Sequence, residues 1–408
     1  MRDNDGNKGF GAYAWSNQNG DTYNFYLDFF VQVAPETYIL DITGYESTKP
    51  VDWYLIASPV NVDPATTGMT EGNFDLYYFD EAQEEEWINY EGPDGRFDLV
   101  PGKGYLYAHD TDVTLTFTGT PYNGEPITLQ KTEHTGDEGF EGWNLVGNPY
   151  AVPAYIDRDF YVMNANGSEI IESATNEIAP MQGLFVVAAR DGETLTFSTE
   201  APTNTGTKIV VNVSDTRSSV IDRAMVRFGE GRTLPKFMLN GENTKIYITE
   251  GNEDFAVVRS INENSTPVSF HAAENGTYTL SVTAENLDFT YFHLIDNMTG
   301  ADVDLLSTPS YSFEASTTDY AQRFRLVYAT FDSVDENNAN NFAFFNGTEW
   351  VVNNEGEATL QVVDVTGRLV SSENVNGTTT LTLNQPAGIY MLRLVNGNDV
   401  KVQKVVVR

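Results

Sequence analysis

Apolar and polar residues alternate with a period of two along much of this chain, and that period limits it to β structure. The alternation is clear at residues 113–118, 278–282 and 323–328, which read Val-Thr-Leu-Thr-Phe-Thr, Tyr-Thr-Leu-Ser-Val and Arg-Phe-Arg-Leu-Val-Tyr. A strand with this pattern places one face on a core and the other in water. Because no long stretch keeps a helical period, the sequence predicts an all-β protein.

Asn-Gly pairs divide the predicted strands into hairpins. Asparagine and glycine tolerate the positive φ angles of a two-residue hairpin turn. Antiparallel sheets joined by short turns are therefore expected through most of the chain. The pairs lie at residues 123–124, 275–276, 346–347, 376–377 and 396–397.

Three sequence landmarks occur twice, in the same order, within residues 51–201. They are a Trp-x-Leu-x-x-x-Pro segment, a Pro-x-x-Gly segment and a Leu-Thr-Phe segment. The offset between matches falls from 90 to 79 residues, so a loop is expected to be shorter in the second copy. The sequence predicts two β-rich copies of one strand order that superpose. The matched segments are 53–59 with 143–149, 101–107 with 180–186, and 115–118 with 195–198.

Length and composition divide the rest of the chain. A chain of 408 residues suggests about three domains. Residues 332–341 are polar and acidic and cannot build a core, so they are predicted to be a linker. The predicted parts are an N-terminal β segment at 1–50, a domain of two repeats at 51–202, a β-sandwich domain at 203–330, a linker at 331–341 and a small C-terminal sandwich at 342–408.

The charge balance and the missing cysteine exclude several classes of protein. The chain has 59 Asp and Glu against 23 Lys and Arg, a net charge of −36. Such a surface repels phosphate backbones and anionic lipid, which disfavours nucleic-acid and membrane-surface binding. With no cysteine, the chain has no disulfide, no thiol catalysis and no cysteine-based metal site. No apolar run is long enough to predict a transmembrane segment.

The last part of the chain carries three motifs that occur together. Residues 360–370 contain an Asp-x-Thr-Gly-Arg turn, residues 383–394 contain a Gly-Ile-Tyr that enters a strand, and residues 401–407 form a lysine-bearing terminal strand. On these motifs the C-terminal domain resembles the type A C-terminal sorting domain of the Bacteroidetes type IX secretion system. The resemblance covers about the last 70 residues, a span suited to a small domain.

The resemblance implies export across the outer membrane and attachment at the cell surface, with the secretion machinery as a partner. Residues 1–6 do not form a signal peptide, so a fragment or a processed start is expected. The landmarks upstream, together with Asp-Arg-Ala-Met-Val-Arg-Phe at 222–228, resemble repeats of adhesin-like surface proteins from the same bacteria. This looser resemblance implies no binding residue.

Trp87 and Tyr90 are the candidate ligand residues. They lie between strand signals in the first repeat, where exposed aromatic rings can stack on sugars. A carbohydrate-binding site predicts that both rings are exposed and roughly coplanar. The competing interpretation is that both rings pack over the edge of the first repeat's core.

No residue pattern indicates catalysis or a resident cofactor. His109, His134, His271 and His293 are too far apart in sequence for a histidine metal motif, and carboxylates are too numerous to pair. Residues 3–7, Asp-Asn-Asp-Gly-Asn, resemble the first half of a Ca²⁺ loop but lack a closing Glu, so an ordinary turn competes with a Ca²⁺ site. We therefore expect no metal and no catalytic residue.

The sequence as a whole predicts tandem β-sandwich or barrel-like domains followed by a small, immunoglobulin-like C-terminal β-sandwich. The predicted function is that of a secreted or cell-surface protein, adhesin-like or structural, which binds a host protein or a glycan through loops on rigid sandwiches. It is not predicted to be an enzyme. Two alternatives remain open: an accessory region of a larger exported hydrolase, and a carbohydrate-binding module.

Overall fold

A computed structural model of the chain divides into two compact units, Met1–Thr203 and Asn204–Arg408. The Asp3–Asn7 loop, His134 and the predicted linker lie outside the residues that the structure describes. The structure describes residues 9–10, 29–30, 34–93, 95–132, 140–203, 206–216, 220–238, 243–260, 264–330, 342–346, 349–397 and 399–407.

The first unit is built of short antiparallel strands and one turn of 3₁₀ helix at Pro64–Thr66. Its strands are β1 (Gly9–Phe10), β2 (Phe29–Phe30), β3 (Glu36–Ile42), β4 (Tyr54–Ala57), β5 (Phe74–Phe79), β6 (Trp87–Asn89), β7 (Gly104–His109), β8 (Val113–Gly119), β9 (Ile127–Thr128), β10 (Trp143–Gly147), β11 (Tyr161–Met163), β12 (Ile170–Glu172), β13 (Gly183–Val187) and β14 (Thr194–Leu195).

The two halves of this unit, β3–β8 and β9–β14, have the same strand order. The four-stranded sheets run β4-β7-β5-β6 and β10-β13-β11-β12, so each places its first strand beside its last. Each half also has a two-stranded sheet, β3 with β8 and β9 with β14. Strand β3 precedes residue 51, so the sheet pairing of the first half extends into the segment that the sequence assigns to residues 1–50.

The halves meet through backbone contacts at matching positions. Ile56 forms an isolated bridge with Gln182, and Lys103 forms one with Val146. The amide of Ala57 donates to the carbonyl of Met181 at 2.7 Å. Each half supplies most of its own apolar core, and Met181 of the second half also joins the core of the first.

The second unit begins with a middle domain, residues 206–330, in which a single sheet surrounds one core. Its strands are ordered β23-β22-β25-β20-β18-β19-β16-β15-β21-β24, with β17 paired to β19. Phe270, Phe313 and Phe324 pack edge to face in the core, which explains the apolar side of the alternating strands. The strands are β15 (Lys208–Ser214), β16 (Asp222–Phe228), β17 (Leu234–Pro235), β18 (Lys245–Glu250), β19 (Glu253–Ser260), β20 (Ser265–His271), β21 (Gly276–Glu285), β22 (Phe289–Asp296), β23 (Ala301–Asp304), β24 (Ser310–Ala315) and β25 (Phe324–Thr330).

A buried arginine joins separate parts of the middle domain's sheet. Arg323 donates through Nη2 to Asp296 Oδ2 at 2.9 Å, and both side chains are almost fully buried. Its Nη1 reaches Asp319 at 3.2 Å, and its guanidinium lies 4.5 Å from the Phe313 ring centre. Burial is the largest single influence and raises the pKa of Asp296, but the hydrogen bonds and charge of Arg323, together with hydrogen bonds from Met298 and Thr299, leave that pKa below its usual value.

The second unit ends in the C-terminal sandwich, residues 342–407. A three-stranded sheet, β26-β27-β30, packs against a four-stranded sheet, β29-β28-β31-β32, around one apolar core. The predicted all-β class with sandwich and barrel-like domains is confirmed. No helix in the described part of the chain is long and apolar enough to span a membrane. The strands are β26 (Ala343–Phe345), β27 (Trp350–Val352), β28 (Glu357–Asp364), β29 (Leu369–Asn376), β30 (Thr379–Leu381), β31 (Gly388–Asn396) and β32 (Asp399–Val407).

Candidate functional site: the C-terminal sandwich

Tyr90, one of the two predicted ligand residues, is in the core. Only 4% of it is exposed, and its ring lies 5.9 Å from that of Phe74 and 5.3 Å from that of Phe97. The guanidinium of Arg96 lies 5.1 Å from the Tyr90 ring centre. The prediction that Tyr90 presents an exposed ring to a sugar is therefore wrong, because Phe74 and Phe97 enclose it.

Trp87 is half-buried in an aromatic cluster that joins the two halves of the first unit. Its ring meets Phe79 edge to face at 5.2 Å and Phe185 of the second half at 5.8 Å. Each such aromatic contact stabilises the fold by about 0.5–1.5 kcal/mol in addition to the effect of the apolar area that it buries. With Tyr90 buried, Trp87 has no coplanar partner at that position, and its contacts are those of a packing residue.

The three described histidines do not converge on a site. His109 is buried, and its Nδ1 lies 2.8 Å from the Thr111 carbonyl oxygen. His293 stacks on Tyr291 at 3.9 Å, and its Nδ1 lies 2.6 Å from Asp302 Oδ1. His271 is half-buried on β20. Within the described residues, no three His, Asp or Glu side chains are grouped to hold a metal ion.

The motif that carries the resemblance folds into a hydrogen-bonded turn between β28 and β29. Asp364 accepts from the amide and hydroxyl of Thr366 at 2.9 and 2.6 Å. It also accepts from the amide and Nε of Arg368 at 3.0 and 2.9 Å. The Thr366 hydroxyl is the largest influence, and together these donors lower the pKa of Asp364 to about 2. Gly367 has a φ of 84°, which only glycine adopts without strain.

Strands β31 and β32 expose apolar side chains on the face away from the core. Tyr390, Leu392, Leu394 and Val405 point inward and are buried. Because neighbours on a strand alternate sides, the residues between them point outward. We call this set the β31–β32 face: Ile389, Met391, Arg393, Val395, Val400, Val402, Lys404 and Val406.

The β31–β32 face was not found from the sequence. Ile389, Val400, Val402 and Val406 are 42, 44, 38 and 52% exposed. The signal for it is apolar residues at consecutive positions, as in residues 389–392 and 405–407, where a half-buried strand would alternate. Strand β32 is also the last strand of its sheet, so the face continues to a sheet edge.

Comparison with known proteins identifies this sandwich. Residues 346–408 match the family described as "Secretion system C-terminal sorting domain". No curated protein matches the chain. Three chains of solved structures match. One is described as "Biofilm associated protein - BSP domain", with 11% identity and a TM-score of 0.18; the match covers the whole of this chain and 67% of that one. At that score the likeness supports no inference about fold or ligand.

The C-terminal sandwich is a C-terminal sorting domain of the type IX secretion system, as the resemblance implies. The protein that carries it is therefore exported to the cell surface or the extracellular space. The sorting domain also implies engagement with the secretion machinery.

Proposed function

We propose that this chain is a non-catalytic surface protein whose β domains upstream of residue 342 serve as adhesive or structural modules. The observation that carries the proposal is a C-terminal sorting domain joined to domains whose regular secondary structure is almost all strand. Sheets packed on continuous apolar cores are rigid, and loops on such scaffolds are where recognition usually occurs. The ligand class we favour is a host protein or a glycan.

The distribution of charge supports an extended role outside the cell. Residues 342–408 contain five Lys and Arg and six Asp and Glu, so they are nearly neutral. The remaining 341 residues contain 18 Lys and Arg and 53 Asp and Glu, so they carry almost all of the net charge of −36. A strongly acidic surface keeps a protein soluble and separate from anionic surfaces. The upstream domains therefore suit a module that projects from the surface.

Export is tested with the full chain and a variant that lacks residues 342–408, each produced in a bacterium with a type IX system. We expect the full chain at the surface or in the medium and the truncated chain inside the cell, both measured by immunoblot of fractions. Equal export of the two would contradict the sorting role.

The adhesive part is tested by screening the purified full chain against glycan and host-protein arrays, with and without Ca²⁺. A reproducible, saturable ligand supports it. Turnover of peptide or glycan substrates by the chain would contradict the non-catalytic part and favour an exported hydrolase. Sugar binding lost on Trp87→Ala would restore the carbohydrate-binding alternative.

A further inference from the structure

The outer face of the three-stranded sheet in the C-terminal sandwich is covered by the chain itself. Val351 on β27 is fully buried and packs with Tyr291, Val327 and Ala329 of the middle domain. Asn346 Nδ2 donates to the Tyr291 hydroxyl at 3.1 Å. This face is therefore not available to a partner while the second unit is intact.

The outer face of the four-stranded sheet is open in its β31–β32 half. Six of the eight residues of the β31–β32 face are aliphatic, and the other two are Arg393 and Lys404. Clusters of exposed aliphatic residues on one strand pair mark interaction surfaces more often than isolated ones do. The neighbouring strand β28 presents Thr359 and Gln361 on this side together with the half-buried Val363, which pairs with Met391, so the outward side is more polar there than on β31 and β32.

The β31–β32 face also differs in charge from the rest of the molecule. It has two cations and no carboxylate, whereas the upstream residues have nearly three acids for each base. Arg393 Nη1 donates to Gln361 at 3.3 Å, and no ion pair joins Arg393 or Lys404 to another residue in the part of the chain that the structure describes. An acidic partner would be repelled by the upstream domains and attracted here.

We propose that the β31–β32 face is the surface by which the sorting domain binds a protein of the secretion machinery, one with an apolar patch and carboxylates that meet Arg393 and Lys404. The inference rests on the sorting role of this domain in the proposed function and specifies where recognition occurs. Apolar contact supplies affinity, and the two cations fix orientation and speed encounter.

A competing explanation for the positive charge is that Lys404 protects the edge strand β32 from pairing with other chains. Charged residues, lysine above all, keep exposed edges from pairing with other chains. A glutamate would protect the edge equally well but would repel an acidic partner. Reversing the sign of the charge therefore separates the two explanations.

The test measures export of the full chain carrying Arg393→Glu with Lys404→Glu. We expect about a tenfold or larger loss of exported chain, because two interface charges are reversed. Val402→Asp, on the same face, is expected to act in the same direction. Two control variants alter residues outside this face. Lys401 lies on β32 but pairs with the inward-facing Leu394, and Phe345 is 52% exposed on the other sheet. The Lys401→Glu and Phe345→Asp chains should both be exported as the unaltered chain is.

Controls keep the outcome decisive. Melting temperatures of the purified variants must match that of the unaltered chain, so that loss of export reports recognition and not folding. If the chain without residues 342–408 stays inside while the face variants are exported normally, this inference is wrong and the proposed function stands. Binding to phosphatidylglycerol vesicles, or a concentration-dependent dimer, that the double variant alone loses would assign the face to lipid or to a second copy and would also overturn the inference.

Discussion

The hydrogen bonds that Asp364 accepts explain why an acidic residue begins the turn of the sorting domain. Its carboxylate accepts four hydrogen bonds from two residues that follow it, Thr366 and Arg368. These donors hold the chain in the conformation that Gly367 completes with its positive φ. The turn therefore depends on the ionised form of one side chain, although that side chain is at the surface.

The ionised form of Asp364 makes a pH-dependent contribution to stability. Its pKa is about 2 in the folded chain against an ordinary value of 3.8, so its contribution is complete above the ordinary value and is lost as the pH falls through about 2. We expect Asp364→Asn to melt below the unaltered chain at neutral pH and the difference to shrink toward about pH 2. Thermal scans across that range measure it.

Asp399→Asn is the control, because Asp399 is exposed in the same domain and makes no side-chain hydrogen bond among the described residues. It should leave the melting temperature unchanged at every pH. A constant difference between Asp364→Asn and the unaltered chain down to about pH 2 would show that the carboxylate is not what the turn requires.

At the scale of strands, the sequence predicts where strands lie better than it predicts their pairing or their buried face. The Asn-Gly pair at 396–397 joins the paired strands β31 and β32, but the hairpins expected at 123–124, 275–276 and 376–377 are wrong, because the consecutive strands that these pairs connect do not pair with each other. Period two locates β8 and β21, because each has one apolar and one polar face, but β25 buries apolar residues on both faces, since Val327 and Ala329 lie opposite its core-facing side. It does not show that Tyr90 is enclosed, since Phe97, which covers it, follows a turn and belongs to no repeating pattern. Nor can it decide which side of β31 meets the core, because both sides are apolar and only the opposite sheet determines the choice.

Glycines at matching positions let the backbones of the two halves of the first unit approach. A Cβ at Gly183 would lie 2.9 Å from the Ile56 carbonyl oxygen, and one at Gly104 would collide with that of Val146. We expect Gly183→Ala and Gly104→Ala each to lower the free energy of unfolding by about 1–3 kcal/mol, as overpacking does. Urea unfolding followed by tryptophan fluorescence measures the loss.

Gly276→Ala is the matched control, because a Cβ there meets nothing within 4 Å and the backbone is not in the left-handed region. Its midpoint in urea should stay near that of the unaltered chain. Unchanged midpoints for Gly183→Ala and Gly104→Ala would mean that the halves can separate slightly at no cost.

At the scale of the second unit, the sorting domain is attached to the middle domain by more than the chain connection. Tyr291 supplies a buried ring and a hydroxyl to the contact, and its other side stacks on His293. The covered sheet and the open β31–β32 face are on opposite sides of one small sandwich. Attachment and recognition are thus separated in space, which allows each to be altered alone.

Tyr291 provides the means to test that separation. Tyr291→Phe removes one hydrogen bond and should cost about 1 kcal/mol, whereas Tyr291→Ala also removes the ring and should cost about 3–5 kcal/mol. Calorimetry should then show the sorting domain of Tyr291→Ala melting as a separate transition. Tyr320→Ala, which alters a ring that is 49% exposed, should change neither quantity.

Export of Tyr291→Ala tests whether recognition is independent of this attachment. Because the β31–β32 face is untouched, the variant should be exported as well as the unaltered chain even though its domains are uncoupled. Reduced export of a variant that melts as the unaltered chain does would instead show that the secretion machinery binds at the interface between the two domains. If Tyr291→Ala is not exported and its sorting domain shows no melting transition of its own, the sorting domain needs the middle domain in order to fold.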